Sequence, residues 1–166
     1  LVHRLAAKRH TKRRQVMTGH LKIEPPRNVQ FSVFLANKIG KLLELVSVFD
    51  GEALRLVALS VVDAADHAVV RLVTSNADLA RKLLCSREMP CSETDILVVE
   101  LGPDQRLGKL CQSLLAAELS IHYAYPLMVL PHGSPTIALY TDDQILAGQI
   151  LRRKQFNLLG ENDLQP

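Results

Sequence analysis

From Asn28 onward the apolar pattern runs through one order of elements and then runs through it again, and no other feature limits the available folds as strongly. In the first pass, Val29, Phe31, Val33 and Leu35 alternate with Gln30 and Ser32, the period of a half-buried strand. Asn37-Lys38-Ile39-Gly40 interrupts it. Ile39, Leu42, Leu43 and Val46 then recur at helical spacing, with Lys41, Glu44 and Ser47 on the outer face, and the helix should end near Asp50-Gly51. Two β-rich segments, 54–63 and 67–74, are joined by the turn-like Ala64-Ala65-Asp66 and are predicted to pair as a hairpin. Asn76 caps a second helix to about Arg87, with Leu79, Leu83 and Leu84 inward.

The second pass opens with a strand over 95–101, followed by a turn at Gly102-Pro103-Asp104 and a helix with Leu107, Leu110, Cys111 and Leu114 inward. Strands over 120–130 and 136–141 follow, joined through Pro131-His132-Gly133-Ser134-Pro135. Asp142 caps a helix carrying Leu146, Ala147, Ile150 and Leu151, and 156–159 forms a short last strand. Gly40-Lys41-Leu42 aligns with Gly108-Lys109-Leu110, and Asp95 with Asp163, both at a spacing of 68. The chain reads as a duplicated βαββαβ unit. Order and spacing carry this reading more than identity does.

A length of 166 residues suits one average domain or two very small ones. Seven aromatic residues and no Trp leave little material for base-stacking platforms. No apolar run approaches the roughly 18 residues of a membrane span. Cys85, Cys91 and Cys111 form no CxxC pair, and no Asn-x-Ser/Thr acceptor occurs, so a reducing cytoplasm is the expected compartment. The net charge of +3 is unevenly placed. Residues 1–27 hold eight Lys and Arg against Glu24 alone, so the rest of the chain is mildly acidic, at −4. With few apolar residues and Pro25-Pro26 at its end, 1–27 reads as a disordered tail and linker. A nucleic-acid-gripping arm, a targeting peptide, and a functionless extension upstream of Met17 are the three readings of it.

Catalytic signatures are missing: no GxGxxG, Walker loop, GxSxG elbow or HExxH. His67, His122 and His132 lack metal-ligand spacing and read as turn or surface residues, while Cys85 and Cys91 read as structural thiols. The expectation is a protein without catalytic residues, metal or cofactor. What recurs is a glycine at the first turn of a helix just after a strand, Gly40 and Gly108. A missing side chain there admits a ligand close to the backbone, and free N–H groups at a helix start suit a carboxylate. The alternative is that each glycine only permits a tight turn.

Phe31-Ser-Val-Phe-Leu-Ala-Asn37-Lys-Ile-Gly40-Lys-Leu42, with the helix and strand that follow, resembles the opening of an ACT domain, a small amino-acid-sensing module of βαββαβ order. Ile121-His-Tyr-Ala-Tyr125 resembles the second strand in the second copy of compact bacterial proteins built from two such domains. The resemblance spans 28–166. It implies an α+β fold of two ferredoxin-like repeats side by side, at 28–95 and 96–166, with antiparallel sheets, helices on one face, and edge strands joined into an eight-stranded sheet. It also implies an effector, usually an amino acid, held where the first strand-to-helix loop of one domain meets its neighbour.

Carried onto this sequence, Asn37, Lys38, Ile39 and Gly40 would form the first effector loop and Arg106, Leu107 and Gly108 the second. Tyr123 and Tyr125 would either line an interdomain pocket or pack in the core. Ile39 and Leu107 stand where the family often has proline. The first loop is the stronger candidate, because it keeps Asn37 while Arg106 could fill the second. The function implied is a non-enzymatic amino-acid-binding regulator. One alternative is the regulatory small subunit of a biosynthetic enzyme such as acetolactate synthase, and another is a nucleic-acid-binding module using the tail. The partners implied are an amino-acid effector, a catalytic enzyme subunit and a second copy of the chain, with nucleic acid and membrane disfavoured.

Overall fold

The computed structural model describes residues 24–64 and 66–165, so the basic segment 1–23 lies outside the described residues. Its elements are β1 (Asn28–Ala36), α1 (Lys41–Ser47), β2 (Leu56–Ala64), β3 (His67–Thr74), α2 (Ala77–Ser86), β4 (Cys91–Glu100), α3 (Leu107–Leu115), β5 (Ile121–Pro126), β6 (Thr136–Thr141), α4 (Gln144–Arg153) and β7 (Asn157–Leu159). A 3₁₀ turn, Glu161–Leu164, follows. Both passes of the βαββαβ order are present.

The strands run antiparallel in the order β2-β3-β1-β4-β6-β5, with β7 also on β4. One strand serves both repeats. Residues 91–96 of β4 pair with β1, whereas 97–100 pair with β6 and 98–100 with β7. The last strand of the first repeat and the first strand of the second are thus continuous, which gives seven strands where eight would arise from two complete repeats.

On β1 the alternation places Phe31, Val33 and Leu35 under α1 and α2, packed with Leu45, Leu72 and Leu84. Gln30 and Ser32, on the opposite face, are buried too. That face is covered by the second sheet: Val57, Ala58 and Val73 pack with Ile96, Val98, Tyr125, Ala138 and Leu159. The outer face of the second sheet is closed by α3 and α4 through Leu97, Val99, Leu110, Leu114, Leu139 and Leu151. Each sheet therefore carries its helices on one face and meets the other sheet with its second. The edge strands also approach each other, and the Met128 N–H just beyond β5 donates to the Val57 carbonyl of β2 at 2.8 Å.

Several local expectations shift. Around α1 the buried residues are Leu45 and, just after the helix, Val48 and Phe49, while Ile39, Leu42 and Leu43 are exposed. The segment is apolar on two sides, and the bulkier Phe49 end is the one anchored in the core. Leu107 and Cys111 also face outward on α3. Cys91 opens β4 instead of lying in a loop, since backbone pairing to β1 needs no apolar alternation. The α4 cap is Asp143, whose carboxylate accepts from the Leu146 N–H at 2.9 Å, in place of Asp142.

Both ends of the described chain brace the other repeat. Pro25 is buried against Gly148 of α4, where a β-carbon would lie 2.4 Å from its ring. Arg27 pairs with Glu24 at 2.9 Å and Asp95 at 3.4 Å. After β7, Glu161 accepts from the Ala77 N–H at the start of α2 at 2.7 Å, and the Gln165 amide donates to the Ser75 carbonyl. Leu164 is buried beside the strands of the first repeat.

Candidate functional site

The first β-to-helix loop leaves the sheet where Ala36 pairs with His67. The Lys38 N–H turns back to the Ala36 carbonyl at 2.8 Å, and Gly40 caps α1 in the left-handed region, φ 86°. Asn37, Lys38, Ile39 and Gly40 are all exposed, and a side chain at Gly40 would meet nothing within 4 Å. The Asn37 amide already donates to Asp63 at 3.1 Å. Helix α1 has seven residues, about two turns, and presents few aligned peptide dipoles.

The second loop is differently enclosed. The Leu101 N–H donates to the Pro135 carbonyl at 2.8 Å, which draws the β5–β6 connection over the end of β4. Gln105 links back to the Gly102 N–H and, through its amide, to the Gln155 carbonyl after α4. Between the loop and Gly133-Ser134-Pro135 lies a cavity of about 550 Å³, with Arg106 and Leu107 in its wall. Arg106 caps the nine-residue α3 in extended conformation, and its carbonyl accepts from Lys109 and Leu110. Arg106 gives this wall a cation, a group suited to a carboxylate, and Leu101, Leu107 and Pro135 give it apolar surface. Gly108 is exposed with open space around it.

Tyr123 and Tyr125 join neither loop. They point between the sheets, where the Gln30 amide donates to the Tyr123 hydroxyl at 2.9 Å and the Tyr125 hydroxyl donates to the Gln30 carbonyl oxygen at 2.7 Å. Tyr123 also stacks on Tyr140, ring centres 5.1 Å apart, and lies 3.9 Å beneath the Arg71 guanidinium. Burial pushes the Tyr125 hydroxyl well above the ordinary tyrosine range. These side chains satisfy the buried Gln30 amide between the repeats, a packing role.

Sequence reasoning read Gly133-Ser134-Pro135 only as a turn, though the stretch forms the far wall of the second-loop cavity; its Pro and Gly content marks the bend but not what the bend approaches. No group of three or more His, Cys, Asp or Glu among the described residues is placed to hold a metal ion. The three cysteines are unpaired and exposed, and partial desolvation, with Glu93 nearby, raises the Cys91 thiol above its ordinary value, away from nucleophilic thiolate chemistry. No described helix is long and apolar enough to cross a membrane.

A family model described as an ACT domain pair matches residues 27–166. Among solved structures, protein BT0572 from Bacteroides thetaiotaomicron is similar over 84% of this chain and 96% of that one, at 27% identity and a TM-score of 0.73. The ligand-free regulatory subunit of aspartate kinase from Thermus thermophilus is similar over 78% of this chain and 93% of that one, at 11% identity and a TM-score of 0.49. No curated protein matches the chain. With the repeated βαββαβ order, the shared sheet and a family match that spans both repeats, the chain belongs to the ACT domain pair family.

Proposed function

We propose that this chain is a non-enzymatic regulatory protein that binds an amino acid at the β-to-helix loop of its second repeat. The observation that carries the reading is the cavity of about 550 Å³ between that loop and Gly133-Ser134-Pro135, walled by Arg106. Its volume falls in the range of small-molecule sites, and its one cation stands beside apolar surface, as a zwitterion with an apolar side chain requires. This reverses the ranking of the two loops. At the first loop the Asn37 amide is engaged by Asp63, and Asn37, Lys38, Ile39 and Gly40 are all exposed. Ligand bound at the second loop would bear on β4 through Leu101 and so reach both repeats.

A thermal-shift screen of the twenty amino acids tests this. A ligand at about 100 times its dissociation constant adds roughly 2.7 kcal/mol, a rise of about 5–10 °C for a domain of this size. Arg106→Gln should weaken binding about tenfold, the loss of one charge-assisted contact. Failure of every amino acid to raise the melting temperature, or unchanged affinity in the folded Arg106→Gln variant, would remove the site.

A second reading, attachment to a catalytic subunit, draws on the exposure of Ile39 in the turn before α1 and of Leu42 and Leu43 in its first turn. Copurification of a large catalytic chain, lost in Leu43→Glu, would favour it.

A further inference from the structure

The space between the two sheets has a lip. Pairing register arranges the inward face of the first sheet in rows that cross its strands. Gln30, Val73 and Ala58 form one row, and the second sheet buries it. Ser60, Arg71, Ser32 and Ser92, each two residues further along its strand, line up as the next across β2, β3, β1 and β4. Beyond them Val62, Val69 and Phe34 form a third row where the cover has ended, for Phe34 is 42% and Val62 38% exposed. One cation and three hydroxyls therefore stand between a closed interior and an open apolar ledge.

This middle row is made of donors that lack acceptors. The Arg71 guanidinium lies 3.9 Å over the Tyr123 ring. Stacking occupies its flat face and leaves its N–H groups, which point outward in the plane, free to meet oxygen. Among the described residues, no carboxylate or carbonyl takes them. Ser32 is only 8% exposed, and its oxygen already accepts from the Gln30 amide at 3.2 Å, so its own hydrogen remains to be donated. The charges point the same way. Asp63, Glu93 and Asp95 alternate onto the helix side of their strands, and Glu100, further along β4, is taken by the Asn157 amide at 2.7 Å. A half-buried cation with no acid on its face is matched by an anion from outside. The Gln30 side-chain oxygen is bonded to Tyr125, which leaves no side-chain acceptor in this row or the one behind it for an ammonium group and sets the site apart from one for a zwitterion.

We infer that this lip binds the phosphoryl group of a small phosphate ester, with the Arg71 guanidinium and the Ser32 and Ser60 hydroxyls as donors and the ester's organic part on Phe34, Val62 and Val69. Hydroxyls on both sides of a forked guanidinium offer hydrogens in more than one plane, which suits a tetrahedral oxyanion better than a flat carboxylate. The inference does not depend on binding at the Arg106 loop.

Nuclear magnetic resonance of ¹⁵N-labelled protein, titrated with phenyl phosphate to about 10 mM at physiological salt, tests it. The amide signals of Ser32, Ser60 and Arg71 should move saturably. Inorganic phosphate, which lacks the organic part, and benzoate, which lacks the phosphoryl group, should each bind at least about tenfold more weakly. Arg71→Gln should weaken the phenyl phosphate response at least about tenfold and Ser60→Ala roughly threefold to tenfold, the remaining spectrum showing that each variant is folded. Immobile signals at 32, 60 and 71, or equal affinity in folded Arg71→Gln, would overturn the site. Movement confined to 101–107 and 133–135 would overturn it while leaving the loop reading intact. Benzoate binding as tightly as phenyl phosphate would overturn the phosphoryl class, and inorganic phosphate doing so would overturn the part given to the apolar row.

Discussion

Gly40 and Gly108 occupy matching places in the repeat, yet their backbones ask for different things. Gly40 is held at φ 86°, where any β-carbon crowds the backbone, so Gly40→Ala should lose about 1 kcal/mol with or without ligand. Gly108 lies within α3 with no positive φ and open space around it, so Gly108→Ala should gain about 0.5 kcal/mol by restricting the unfolded chain. Urea titration of the two variants checks both signs. Tyr125 makes a separate prediction. Burial raises its pKa, so the stabilisation tied to its protonated hydroxyl is complete below the ordinary tyrosine value of about 10 and is lost as pH rises above it, where the unfolded chain releases that proton first. Stability should therefore decline above pH of about 10, and Tyr125→Phe should flatten that part of the profile in denaturation at stepped pH.

At the scale of elements, order was legible and phase was not. The strand period of β1 and the cap at Asn76 are local signals, and both are realised. In α1 two apolar faces compete, and only the tertiary position of Phe49 decides that Leu45 and Val48 go in while Ile39 and Leu43 stay out. The first half of β4, Cys91-Ser-Glu-Thr-Asp, offers no apolar alternation because its side chains are largely exposed. It is fixed from outside, by backbone pairing to β1 and by Glu93, which Arg81 of α2 grips with two hydrogen bonds of 2.6 and 2.7 Å. That guanidinium holds the Glu93 carboxyl below its usual range. The candidate site was half legible for the same reason. The glycine and Arg106 announce a loop, but the wall opposite comes from residues some thirty positions later, brought there by the Leu101–Pro135 bond.

Across the whole molecule, each repeat completes the other. Leu164, Glu161 and Gln165 belong to the second repeat by sequence but pack on the first, so the loss on cutting the C-terminal turn should register throughout the chain. Leu164→Ala should cost about 2–5 kcal/mol, and calorimetry should show one cooperative transition moved to lower temperature. Two separate transitions would contradict that mutual dependence. The strand β4 gives the dependence a mechanical character. It is laced along 91–96 to one sheet and along 97–100 to another. Sliding it by one residue would turn its own side chains to the wrong face in both sheets at once, so translation is forbidden in both halves together. Twist about its own axis keeps every pairing and changes only the angle between the sheets. A ligand pressing on Leu101 would thus be felt elsewhere as torque, with β4 as the torsion rod.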